Sequence, residues 1–211
     1  RRQRQMCIRD RPGAELYYGH NAQTREELAD WINHGKWDEL FRKVPVKAGE
    51  FYYVPSGTIH ALGKGIMVLE TQQSSDTTYR LYDFDRVDKT TGKKRELHLQ
   101  QSIDVTNVPH HDPQLNITNE QVGDAQVTTF VQPPVSKYFS VKRVELHDGS
   151  AEFNREGLYT LVSVLDGEGT LTVDGQDYPI KKGQHFILPN PVKQWRYQGN
   201  LELIVSEPGE E

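Results

Sequence analysis

Cysteine is almost absent: the 211 residues include one, Cys7, so no internal disulfide can brace the fold, and no leader of basic start, apolar run and small-residue cleavage site is visible. That combination points to a reducing, cytoplasmic setting. Long apolar runs are missing as well, which excludes a membrane-spanning helix. So is any basic excess. Lys and Arg number 25 against 30 Asp and Glu, a net charge of −5, whereas neutralising nucleic-acid phosphates calls for a basic face. Neither nucleic acid nor a membrane is expected as a partner, and the length suits one large domain or two small ones.

Residues 1–11 differ in composition from the rest. They hold five of the 25 basic residues, the lone cysteine and one of the two methionines, and without them the balance is 20 basic against 29 acidic. With no methionine at position 1, the run is expected to be a foreign or damaged start standing outside the fold that follows.

Helical signals are few. Thr24 and Glu27 form a capping box, and Leu28, Trp31 and Ile32 recur at helical spacing, which predicts a helix from Arg25 to about Asn33. A shorter one is expected over Lys36–Arg42, and a third over Glu96–Val105. The remainder reads as short strands punctuated by Gly, Pro and Asp, among them Phe51–Val54, Ile66–Thr71, Thr78–Tyr82, Val127–Val131, Phe139–Glu145, His185–Leu188 and Leu201–Val205. Many short strands of similar length mean a mainly β fold of sandwich or jelly-roll type.

A weak repeat runs through it. Val46-Lys-Ala-Gly-Glu-Phe-Tyr-Tyr-Val-Pro55 aligns with Ile180-Lys-Lys-Gly-Gln-His-Phe-Ile-Leu-Pro189, sharing Lys, Gly and Pro at the same offsets, so two related barrels in tandem are expected. The first copy continues as Ser56-Gly57-Thr58-Ile59-His60, the second as Asn190-Pro191-Val192-Lys193-Gln194, without a histidine. The spacing of Gly49, Pro55, Gly57 and His60 resembles the second motif of the cupin superfamily, whose turn aims an imidazole into a barrel mouth. There a neutral imidazole is a good ligand for zinc or a similar divalent ion. One ligand is not a site, however, and no His-x-His or Gln-x-His pair precedes His60. His20 and His34 read as surface residues, His110 and His111 as linker residues, and His98 and His185 as lacking companions at ligand spacing.

Leu69 to Arg86 is unusually polar for a segment of a sheet. As a strand it would put Thr78, Arg80, Tyr82 and Phe84 on one face and Tyr79, Leu81 and Asp83 on the other. If the first face looks into a barrel, Arg80 could bind phosphate or stabilise a developing oxyanion; if not, this is an exposed edge strand with a solvated charged face.

Taken together, Phe51–Leu62 and Leu69–Arg86, continued by Arg95-Glu96-Leu97-His98 and by Lys182–Pro189, closely resemble the class I mannose-6-phosphate isomerases in the short form found in Gram-positive bacteria. The likeness runs from about Ala14 to Ser206. It implies a mainly β fold of cupin-type jelly-roll barrels in tandem, the first incomplete, with a small helical insertion at about 24–42. Residues 12–106 would be the later part of the catalytic barrel, 107–126 a connection, 127–206 a second, degenerate barrel, and 207–211 an acidic tail. The resemblance also implies a zinc-assisted aldose–ketose isomerase acting on a small-molecule sugar phosphate, with His60 as the last metal ligand and Arg80 as the catalytic arginine. The other ligands would lie in a leading part that this chain lacks, so truncation is expected. Glu70 and Asp83 are candidates for the base, and Lys64, Arg80 and Arg86 for the phosphate. A non-enzymatic sugar-binding or sensor cupin is the competing reading; a cupin oxygenase would need a histidine-rich first motif that is absent here.

Overall fold

The computed structural model describes residues 4–9, 13–73 and 77–209, with the backbone alone for 4–9. The chain divides into two units, Arg1–Pro113 and Gln114–Glu211.

In the first unit, strand β1 (Arg4–Arg9) lies between β4 (Glu50–Val54) and β6 (Met67–Gln72), antiparallel to both. A second sheet places β2 (Glu15–His20) between β3 (Phe41–Pro45) and β5 (His60–Leu62). Ala14, Leu16 and Tyr18 pack with Val46 and Val54 to join the two layers, and the Tyr18 hydroxyl donates to Tyr53 O at 2.6 Å. Part of the run expected to stand outside the fold, Arg4–Arg9, is thus a central strand.

The helical insertion follows its sequence signals. Helix α1 (Arg25–Asn33) begins where Thr24 Oγ1 accepts from Glu27 N–H at 3.1 Å, with the Glu27 carboxylate reaching back to Gln23 N–H. Its buried Leu28 and Ile32 pack with Leu40 of α2 (Trp37–Leu40) and Ile103 of α3 (Leu99–Val105). Helix α2 is shorter than expected, because Phe41 turns extended and pairs with His20 on β2.

The second unit is one seven-stranded antiparallel sheet. It comprises β7 (Thr118–Val122), β8 (Ala125–Val131), β9 (Phe139–Asn154), β10 (Thr160–Val173), β11 (Gln176–Lys181), β12 (His185–Leu188) and β13 (Gln194–Pro208). Three of these strands are long, and glycines meet where they run side by side: Gly169 pairs with Gly199 and Gly199 with Gly149. Any Cβ on Gly169 or Gly199 would run into neighbouring backbone, so this row is where side chains cannot be carried and a sheet can bend. The inner face holds Val162, Val164, Leu201, Leu203, Trp195 and Tyr197.

The mainly β class with a small helical insertion is therefore as expected, but among the described residues the sheets do not close into barrels: the hydrogen-bonded ladders end at β7, β11 and β12 in the second unit and at β3, β4, β5 and β6 in the first. The expected connection 107–126 already contains β7, and Glu207, expected in a tail, is buried in β13, accepting from the Thr160 hydroxyl at 2.5 Å. The repeat is real in backbone detail. Gly49 and Gly183 turn at φ +84° and +85°; Glu50 N–H donates to Lys47 O and Gln184 N–H to Lys181 O. Each turn is closed by the side chain of the residue after the glycine, which accepts from Lys47 N–H at 2.9 Å and from Lys181 N–H at 2.8 Å.

Candidate functional site

After each repeat proline the chain turns the same way, Thr58 N–H donating to Pro55 O and Val192 N–H to Pro189 O. In the first copy Gly57, at φ +83°, then passes so close to Val105 O and Asn107 that no Cβ fits, and it delivers His60 to the start of β5. In the second copy Gln194 opens β13 in the equivalent place. His60 Nδ1–H donates to Thr58 O at 3.0 Å, which leaves the lone pair on Nε2, the tautomer a metal-ligating imidazole needs. His60 lies opposite Tyr18 on β2 and shares its sheet face.

Thr78–Tyr82 is not a strand. Arg80 bonds to the later segment 96–98 instead of to a sheet: its N–H donates to His98 Nδ1 at 3.1 Å, its O accepts from His98 N–H at 2.8 Å, and its side-chain Nη1 donates to Glu96 O at 3.1 Å. Between them the chain makes a hairpin with a single bridge, Val87 to Lys94, its turn tied by Asp88 Oδ1 accepting from Thr90 and Thr91 N–H. Tyr82 stacks on Trp37 with ring centroids 4.6 Å apart, and Phe84 leans on Tyr17 at 5.3 Å. Tyr17 points away from the face that carries Tyr18 and His60, so the aromatic anchor of this segment and the imidazole lie on opposite faces of the β3-β2-β5 sheet.

The remaining expected site residues divide. Both carboxylate oxygens of Asp83 are taken by Arg95, one of them from Nε at 2.8 Å, and that hydrogen bonding holds its carboxyl below the usual range. A carboxylate so engaged is a poor proton acceptor and a good brace for the hairpin. Arg86 covers the Phe84 ring, its Cζ 5.3 Å from the centroid. Lys64 is exposed in the turn between β5 and β6, and Glu70 lies on β6 opposite Met6. Among the described residues no group of three or more His, Cys, Asp or Glu is arranged to hold a metal ion. His60 presents Nε2 as a metal-ligating imidazole does, but the described residues do not by themselves make a metal site.

Two histidines expected at the surface or in a linker are buried. His20 is 4% exposed and donates from Nε2 to Asn107 O at 2.8 Å, while its Nδ1 has no partner. His110 lies edge-on to Tyr18, 5.6 Å between centroids, and donates to Asp112, which Arg42 grips at 2.6 and 2.7 Å. Burial is the main cause that lowers the pKa of His20. The unfolded chain then takes up a proton near pH 6.5 that the folded unit resists, so stability is full above that pH and declines as pH falls through it. We expect the protection of first-unit amides, corrected for the intrinsic pH dependence of exchange, to fall from pH 7 to 5, and His20→Gln, which keeps an amide donor for Asn107, to flatten that slope. An unchanged slope in the variant would remove His20 as its source. The depressed carboxylates, Asp83 and Asp112, act lower, their stabilisation being lost only as pH falls through about 4.

Residues 126–208 match the family described as "Mannose-6-phosphate isomerase, cupin domain". Over 200 residues, 94% of this chain, it is 49% identical to the mannose-6-phosphate isomerase of Streptococcus mutans, and over 95% of the chain it is 50% identical to mannose-6-phosphate isomerase ManA of Bacillus subtilis. The chain spans about 61% of the length of each of these relatives. A crystal structure of the Bacillus subtilis mannose 6-phosphate isomerase matches 98% of this chain and 64% of its own, with a TM-score of 0.91 at 41% identity. A phosphomannose isomerase mutant from Salmonella typhimurium, 12% identical with a TM-score of 0.73, shares the fold. Over the length it spans, the chain is similar throughout to mannose-6-phosphate isomerases, and residues 126–208, in its second unit, match that family's cupin domain.

Proposed function

We propose that this chain is the part of an aldose–ketose isomerase that carries the arginine and one metal-ligating histidine for interconverting mannose 6-phosphate and fructose 6-phosphate. The identity of about half of all positions to proteins of that name, over nearly the whole chain, carries the reading. The proposed setting is the cytoplasm; no helix among the described residues is long and apolar enough to cross a membrane.

Moving a carbonyl between C1 and C2 removes a proton alpha to it, passes through an enediolate, and returns the proton to the neighbouring carbon. In this reading the Arg80 guanidinium, anchored to Glu96 O by one N–H, directs its remaining donors at the enediolate oxygens and transfers no proton, since it stays charged throughout. Asp83, held through both oxygens by Arg95, is poorly suited to take a proton, and Glu70 on β6 is the other candidate base. Lys64 and Arg86 are the cations for the phosphate. Zinc, when bound, would polarise or position sugar oxygens, with His60 Nε2 as one of its ligands.

The test is fructose 6-phosphate formation from mannose 6-phosphate in the presence of zinc, run on this chain and on one extended to the full length of its relatives. Turnover by the extended protein, with His60→Ala losing zinc retained after dialysis, is the expected result. A folded, zinc-loaded, extended protein that binds the sugar phosphate without converting it would overturn the reading in favour of a sugar-binding cupin.

A further inference from the structure

His98 bonds both backbone polar groups of Arg80. Its Nδ1 accepts the Arg80 N–H at 3.1 Å, and its own N–H donates to Arg80 O at 2.8 Å. Two peptide planes flank the Arg80 Cα, and these bonds fix both, so they set the direction in which the arginine side chain leaves the backbone. The Glu96 carbonyl then holds Nη1 at 3.1 Å, two residues before His98 on the same segment. No sheet ladder holds Arg80, since residues 77–80 belong to no strand.

His98 has a competing use that it does not take. It stands at the N-cap position of α3, where a side chain ordinarily turns inward to accept a free helix N–H, yet it makes no such bond. Its acceptor is spent on Arg80 instead, and Tyr79 lies against its ring with centroids 5.9 Å apart. Accepting at Nδ1 requires that lone pair to be bare, so the imidazole proton sits on Nε2.

We infer that His98 is a positioning residue for Arg80, acting through Nδ1 as a hydrogen-bond acceptor in the Nε2–H tautomer. This rests on the proposal that Arg80 stabilises the enediolate. A small misdirection of such a group costs disproportionately, because electrostatic stabilisation depends on donors already standing where charge develops.

Asparagine places an oxygen close to where Nδ1 sits, whereas glutamine reaches further and places its amide nearer the Nε2 position. In the zinc-loaded protein extended to full length, His98→Asn is expected to keep kcat within about threefold and His98→Gln to lose about 10- to 100-fold, with KM changed less than about threefold in both. Arg80→Ala is assayed beside them. If it is as active as the parent, the reading of Arg80 fails. If it is inactive while His98→Gln turns over like the parent, the positioning role fails and the reading of Arg80 stands. Should His98→Gln not fold, nitrogen NMR of the imidazole in the unsubstituted chain decides: an Nε2–H tautomer with a slowly exchanging Arg80 amide is expected, and an Nδ1–H tautomer would overturn the inference.

Discussion

Gly19→Ala should lower the stability of the first unit by about 2–5 kcal/mol, read as faster hydrogen exchange through β2, β3 and β5 with little change in the second unit. Two costs add. Gly19 sits at φ +81°, a conformation that charges an L side chain about 1–2 kcal/mol. Its Cβ would also run into Cδ2, Nε2 and Cγ of the His110 ring, and that ring is not at liberty to retreat. His110 donates to Asp112 and Asp112 is gripped through both oxygens by Arg42, so moving the ring strains an ion pair as well as a ring contact. The double variant Gly19→Ala with His110→Ala separates the two: it should return to about the sum of the backbone cost and the loss of the imidazole, leaving a clear coupling energy. A loss below about 1 kcal/mol for Gly19→Ala would mean that the ring yields easily and that the cluster around Tyr18 is loose.

The same cluster shows where sequence reading stops. The boundaries of α1 were legible because its signals are local: a capping box, then apolar residues three and four apart. The turn at Gly49 and Gly183 was legible because it is written twice. His20 and His110 carry no local mark of burial; the first is covered by Asn107, 87 positions away, and the second by Gly19 and Tyr18, about as far along the chain. Alternation in Thr78–Phe84 suggested a strand, and what defeated it was the partner, not the pattern. The backbone groups of Arg80 are satisfied by His98 across a hairpin set by Asp88 and braced by Asp83 with Arg95, none of which has a period to read. Short edge strands such as β3 and β5 were missed for the reverse reason, since three to five half-buried residues leave little alternation to detect. His60 is singled out through Gly57 and Pro55, residues whose backbone requirements can be recognised from sequence, and the turn they predict is present. Arg80 is singled out by the polar pattern of Leu69 to Arg86, which left its role open, and its catalytic role is implied only by the resemblance.

If Arg80 stabilises the enediolate as proposed, Arg80→Ala should reduce turnover by about 10²–10³-fold in the zinc-loaded protein extended to full length, with a much smaller change in KM, because that charge is present in the transition state and nearly absent in bound substrate. Arg80→Lys should recover only a part. A lysine keeps the charge but not the planar fork, and with one ammonium it can hold Glu96 O or face the enediolate, not both with fixed geometry. Proton exchange sharpens the test, because an enediolate loses the identity of the C2 hydrogen. Run in deuterium oxide, the parent should place deuterium at C2 of re-formed mannose 6-phosphate, and the alanine variant should lose that exchange and isomerisation together. If exchange persisted while isomerisation fell, Arg80 would act after the enediolate has formed, on the second proton transfer or on product release. If turnover fell less than about tenfold, the arginine would belong to the hairpin's scaffold, and the enediolate charge would have to be met by a group outside this segment.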